Sequence, residues 1–137
     1  MTDERGSITL WVLGLAVMVL FLGGISLDLW RAFEMREDLA AMADSAANAG
    51  ASRVDGVAYR ETGTLQLDGP SAAAAADANL NAQQDGGRIT TRTITPAGPV
   101  LTVQLEGEVE FTLLRIFLGP GKVTITATGS AEAIPAL

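Results

Sequence analysis

The 137-residue chain contains no cysteine and no histidine, a single lysine (Lys122) and a single tyrosine (Tyr59). Without cysteine there is no disulfide framework, thiolate metal site or thiol nucleophile. Without histidine the commonest general base is missing. Positive charge is also scarce: 9 basic residues stand against 16 acidic ones, a net charge of −7 and a pI near 4.4. A nucleic-acid binder shows a basic footprint, and none is present. Aromatic residues make up only 5% of the chain, although 48% is apolar and the mean hydropathy is +0.30. The hydrophobicity is therefore aliphatic, and it is concentrated in one place.

That place is Ile8 to Leu27, ITLWVLGLAVMVLFLGGISL, which carries no charge and has only Thr9 and Ser26 as polar side chains. As a helix it is about 30 Å long, the thickness of a bilayer's hydrocarbon core. A single transmembrane helix is the expected reading. A cleaved signal peptide fits less well. MTDERGS is acidic apart from Arg5, the apolar run is longer than a signal core, and no A-x-A site follows. A buried soluble helix fits least, because nothing later in the chain could cover it. Arg5 on one side is nearly balanced by Arg31 and Arg36 on the other, so charge sets no clear orientation. The acidic, β-rich C-terminal part is expected outside. Trp11 and Phe21 lie in the span, and Trp30 sits just beyond it, where an interfacial aromatic belongs. Gly14, Gly23 and Gly24 suit close helix packing, while the Gly23-Gly24 pair also offers a point where the helix could bend.

Helical periodicity continues past the span. Ala32, Met35, Leu39, Met42, Ala46 and Ala49 recur at spacings of 3 and 4, with Arg31, Glu34, Asp38, Ser45 and Asn48 on another face. No proline interrupts the chain before Pro70. One helix from Ile8 to about Arg53 is expected, ending near Gly50 to Gly56. Its stripe of small residues has two uses: to cover the chain's own sheet, or to meet other subunits through Met35, Leu39, Met42, Ala46 and Ala49.

The remainder reads as a small α+β unit. Val57 to Leu67 suggests a weak strand or extended loop. A helix starting at Pro70 or Ser71, with Leu80 its single large apolar residue, is expected to be short and peripheral; the alternative is an alanine-rich linker. Arg88 to Thr95 and Val100 to Glu110 flank Pro96-Ala97-Gly98-Pro99 as a hairpin. The second strand points Leu101, Val103, Leu105 and Val109 to one side and Thr102, Gln104, Glu106, Glu108 and Glu110 to the other. Phe111 to Leu118 is a short helix or packed connection, lying against the sheet or the membrane surface. Lys122 to Ala133 is a final alternating strand. The expected fold is thus α+β. Residues 1–7 form a short tail, 8–27 a transmembrane helix and 28–56 its amphipathic extension. Residues 57–137 form a head with a small antiparallel sheet and a short second helix.

Site chemistry is sparse. Glu106, Glu108 and Glu110 line one strand face, without the converging loop that calcium binding uses, and read as a solvated face. No G-x-x-x-x-G-K-[ST], G-x-G-x-x-G or G-x-S-x-G occurs. No cofactor, metal, small-molecule substrate or catalytic activity is expected; an enzyme would have to work through Glu106, Glu108 or Asp85.

The opening D-E-R-G-S, the apolar span, the exit Leu27-Asp28-Leu29-Trp30-Arg31 and the segment Ala40 to Ala51 resemble TadE/TadG-like proteins of tight-adherence (Flp) pilus assembly. So does the F-L-G turn (Phe117 to Gly119) before T-I-T-A-T within Phe111 to Thr128. The likeness is best over residues 3–53. It implies a pilin-like fold and a bacterial, membrane-anchored component, a minor pilin or pseudopilin of a pilus or secretion assembly. The head would be extracytoplasmic, and the partners would be the lipid bilayer, other pilin-like subunits or Tad platform proteins. Prepilin processing sites place a glycine before the cut and a glutamate at the fifth mature residue. Gly6-Ser7 supplies the glycine, but the fifth residue after it is Trp11. No residue from Ser7 to Leu27 is acidic. This departure argues against cleavage and against a glutamate-based register contact; Asp28, at the far end of the span, does not take that role. The alternative function is an anchored extracytoplasmic binding module that never enters a filament.

Overall fold

The computed structural model describes residues 4–135, with side chains from residue 6 onward. The first three residues of the expected tail lie outside the described residues. A single α-helix, α1, runs unbroken from Glu4 to Ala51, about 72 Å. It passes through Gly23-Gly24 without interruption, because backbone hydrogen bonding along a long apolar helix tolerates the glycine cost of roughly 1 kcal/mol each.

The second half of α1, shorter helices and a three-stranded sheet make the head. Helix α2 (Gly56–Thr62) occupies part of the segment expected as a weak strand or extended loop. The reason is local capping. The Asp55 carboxylate accepts the Val57 and Ala58 N–H groups at 3.0 and 3.1 Å, and Gly63 closes the helix in the left-handed region at φ 67°. Only the end of the segment pairs, as a single antiparallel bridge between Val54 and Leu67. Helix α3 (Gly69–Ala82) has Pro70 in its first turn. It is not peripheral: Ala72, Ala76 and Leu80 are fully buried. Their four-residue spacing aligns them on one face, and their small size lets α3 approach α1 closely. A Cβ at Gly50 would stand 2.7 Å from the Ala72 carbonyl oxygen.

Strands β1 (Ile89–Ala97), β2 (Val100–Glu110) and β3 (Lys122–Glu132) form an antiparallel sheet in the order β1-β2-β3. Leu101, Val103, Leu105 and Val109 are buried as the alternation predicts, with Ala127 and Ala133 from β3. Helix α1 lies across β2 and β3, and α3 lies beside it over β1. The helix backbone meets the sheet at Gly129, where a Cβ would be 2.5 Å from the Ala43 carbonyl carbon and the Asp44 nitrogen. Met35, Leu39, Met42 and Ala46 are all buried in this core, and Ala49 is half-buried. The stripe therefore covers the chain's own sheet. The assignment of Met35, Leu39, Met42 and Ala46 to subunit contacts is corrected: a side chain closed under its own sheet has no surface to offer a neighbour.

Helix α4 (Leu114–Leu118), between β2 and β3, packs back along α1 rather than on the sheet.

Candidate functional site

Two features stand out on this scaffold: a bare apolar column and the junction that fixes the head to its upper end.

The column is the first half of α1. Ile8 (64%), Trp11 (78%) and Leu27 (62%) are exposed, and the apolar window is 0% buried with a mean hydropathy of 2.5. By length and composition it is able to cross a membrane. An exposed apolar surface of this extent is stable only against lipid or other apolar helices. Trp30 and Phe33, both exposed, continue it past the charged exit. The glycines divide into two kinds. Gly14 and Gly23 have nothing within 4 Å of a built Cβ and face outward. A Cβ at Gly24 would overlap the Leu113 side chain, so this glycine serves contact within the chain. Gly6 and Ser7 lie in the first turns of α1, exposed.

The junction is built on Asp28. Its side chain is buried, at 1% exposure, directly above the apolar run. The Thr112 N–H donates to both carboxylate oxygens, at 2.9 and 3.0 Å. The Leu113 and Leu114 N–H groups donate to Oδ2 at 2.6 and 2.9 Å. These are the amides at the start of α4, whose own N-cap, Leu113, has no side-chain acceptor. Asp28 supplies from a distant helix the oxygen that a local Ser or Asp would supply. Arg31 joins the cluster, 3.6 Å from Asp28 and donating to the Thr112 hydroxyl at 3.0 Å. The Thr112 N–H holds the Asp28 pKa below its ordinary value. Burial opposes this, and the Leu114 and Leu113 N–H groups and the Arg31 charge add to the lowering.

Asp28, to which sequence reasoning assigns no role, is the residue that holds the junction. The signal was present. Asp28 lies seven residues before Met35 and eleven before Leu39, in phase with the buried stripe, so it was bound to face inward and to need partners. Run backwards, the same phase gives Gly24, Phe21 and Val17, which meet the α4 segment. The Phe21 and Phe117 rings contact edge-to-face at 6.2 Å, and Val17, Leu20, Phe21 and Leu113 line one shallow cleft. Inside a uniformly apolar run that phase is invisible.

Elsewhere the chemistry stays thin. Glu108 and Glu110 flank Lys122 at 3.3 and 4.0 Å across the β2–β3 pair. No group of acidic residues able to hold a metal occurs among the described residues. A cleft of about 500 Å³ lies where α1 ends beside α2 and β3, with Glu132 as the carboxylate among its described lining residues.

No curated protein and no solved structure matches the chain. Residues 6–53, which comprise the apolar column, Asp28 and the helix that carries the head, match the model of the family described as putative Flp pilus-assembly TadE/G-like proteins.

Proposed function

We propose that the chain is a single-pass, membrane-anchored, pilin-like component, a minor pilin or pseudopilin, of a Tad/Flp-type pilus or secretion assembly. In this reading Ile8–Leu27 stands in the bilayer and the α+β head is extracytoplasmic. It acts structurally and catalyses no reaction. The observation that carries it is the exposed apolar column rigidly continuous with the head, within the segment that matches the pilus-assembly family. A helix that spans lipid and also enters a filament needs room for neighbouring helices; Gly14 and Gly23, nine residues apart and so on opposite sides of α1, each have nothing within 4 Å of a Cβ, which supports the reading. The partners would be other pilin-like subunits or platform proteins of the same system.

The test is substitution of Gly14 and Gly23 by leucine in the native host. Neither position has any atom within 4 Å of its Cβ, so folding is expected to be retained. Loss of co-purification with pilus components, with the head still protease-resistant, supports the reading. Undisturbed co-purification and piliation count against it and favour a solitary anchored binding module.

A further inference from the structure

We propose that the α4 segment is a second membrane contact: Ile116, Phe117 and Leu118 enter the outer part of the bilayer beside α1. This rests on the reading of Ile8–Leu27 as a membrane span. Ile116, Phe117 and Leu118 are 64%, 67% and 70% exposed, three consecutive large apolar side chains on a five-residue helix. On a water-facing loop they would form an unprotected apolar knob.

Their level on α1 decides the occupant. Phe117 packs on Phe21 and Leu113 on Gly24, below the Asp28 exit rather than above it. Phe21 precedes Asp28 by a height of about 10 Å of helix. The loop thus turns back down the apolar column instead of up toward the sheet. Any placement that puts Phe21 in hydrocarbon carries Phe117 into the same layer. The Asp28 carboxylate, holding the three amides at the start of α4, fixes that depth. Arg115, exposed on the same short helix, can extend its guanidinium to the headgroups while its stem stays among apolar neighbours. The bilayer contact is therefore two-pronged, which restrains the head from pivoting about α1.

The test uses the full chain, which has no native cysteine to interfere. A fluorophore is attached singly at Leu13→Cys in the span, Ile116→Cys and Phe117→Cys on α4, and Thr93→Cys on the outer sheet face. The protein is placed in phosphatidylethanolamine/phosphatidylglycerol vesicles. Quenching by acyl-brominated lipid is compared with quenching by aqueous iodide. The Ile116 variant keeps the Phe21–Phe117 contact and guards against loss of the loop fold. The expected result is a loss of emission with brominated lipid at Leu13, Ile116 and Phe117, and with iodide at Thr93. Lipid quenching at Leu13 with iodide quenching at both α4 positions would overturn the proposal and leave the membrane anchor standing. Shielding of both α4 probes from lipid and iodide alike would also overturn it, and would assign the knob to a second copy of the chain. Absence of lipid quenching at Leu13 would remove the anchor reading and this proposal together.

Discussion

The Leu113 backbone N–H donates to the Asp28 carboxylate at 2.6 Å across 85 residues of sequence. This contact ties the connection between β2 and β3 to the long helix at the point where its apolar column ends. It decides where the head stands relative to the column, and the first expectations concern it.

Replacing Asp28 by asparagine removes the charge and presents amide protons to three N–H donors. The α4 segment is expected to loosen while the β-sheet remains. Hydrogen exchange at Thr112, Leu113 and Leu114 should accelerate by about tenfold or more, since charge-assisted bonds are lost from a buried acceptor. Unchanged exchange would mean that α4 is held by its apolar contacts alone.

The same group sets a pH dependence. The Asp28 pKa in the folded state lies below its unfolded value, so its contribution is fully present above about pH 4 and is lost as pH falls through the folded pKa. Protection of the α4 amides should therefore persist through neutral and mildly acid pH and fail below the ordinary carboxylate range. In Asp28→Asn that transition should be missing.

Gly23 and Gly24 are adjacent but not equivalent. Gly24→Leu is expected to drive the Leu113 side chain from its seat and expose the α4 segment to proteolysis. Gly23→Leu should leave the head unchanged. Limited proteolysis of the two variants in detergent separates them, and equal resistance would contradict the seating of Leu113 on Gly24.

Gly129 marks the closest approach of sheet to helix. Gly129→Ala forces β3 away from the α1 backbone, which cannot move aside as a flexible side chain could. A loss of about 1–3 kcal/mol is expected by the usual cost of overpacking. Gly121→Ala, with nothing within 4 Å, serves as the control.

Leu39 is fully buried between helix and sheet. Leu39→Ala should cost about 2–5 kcal/mol, a large part of what a head of this size can muster. Lys122→Ala breaks only the exposed pairs with Glu108 and Glu110 and should cost less than about 1 kcal/mol. Denaturant midpoints of the two variants in detergent test the contrast.

Several elements were legible before the structure. The apolar run, the helical phase of Met35, Leu39 and Met42, the β1–β2 hairpin and the alternation of β2 each follow from a period that one segment carries within itself. Helix α2 stands where a weak strand or extended loop is expected, because the Asp55 and Gly63 caps outweigh the β propensity of Val57 and Tyr59. Helix α3 is central although Leu80 is its single large apolar residue, because Ala72 and Ala76 bury by bringing two backbones together.

The sequence by itself determined that one long helix carries a bare apolar column and that a thin aliphatic core must support the head, because hydropathy and periodicity are local properties of the chain. Only the tertiary structure decided that the small-residue stripe closes on its own sheet. It alone decided that Asp28 caps α4, and that Phe117 lies beside Phe21. Those contacts join residues tens of positions apart, and they exist because a buried carboxylate and three open amides each leave the other as the available partner once the helix and the β2–β3 connection are brought together.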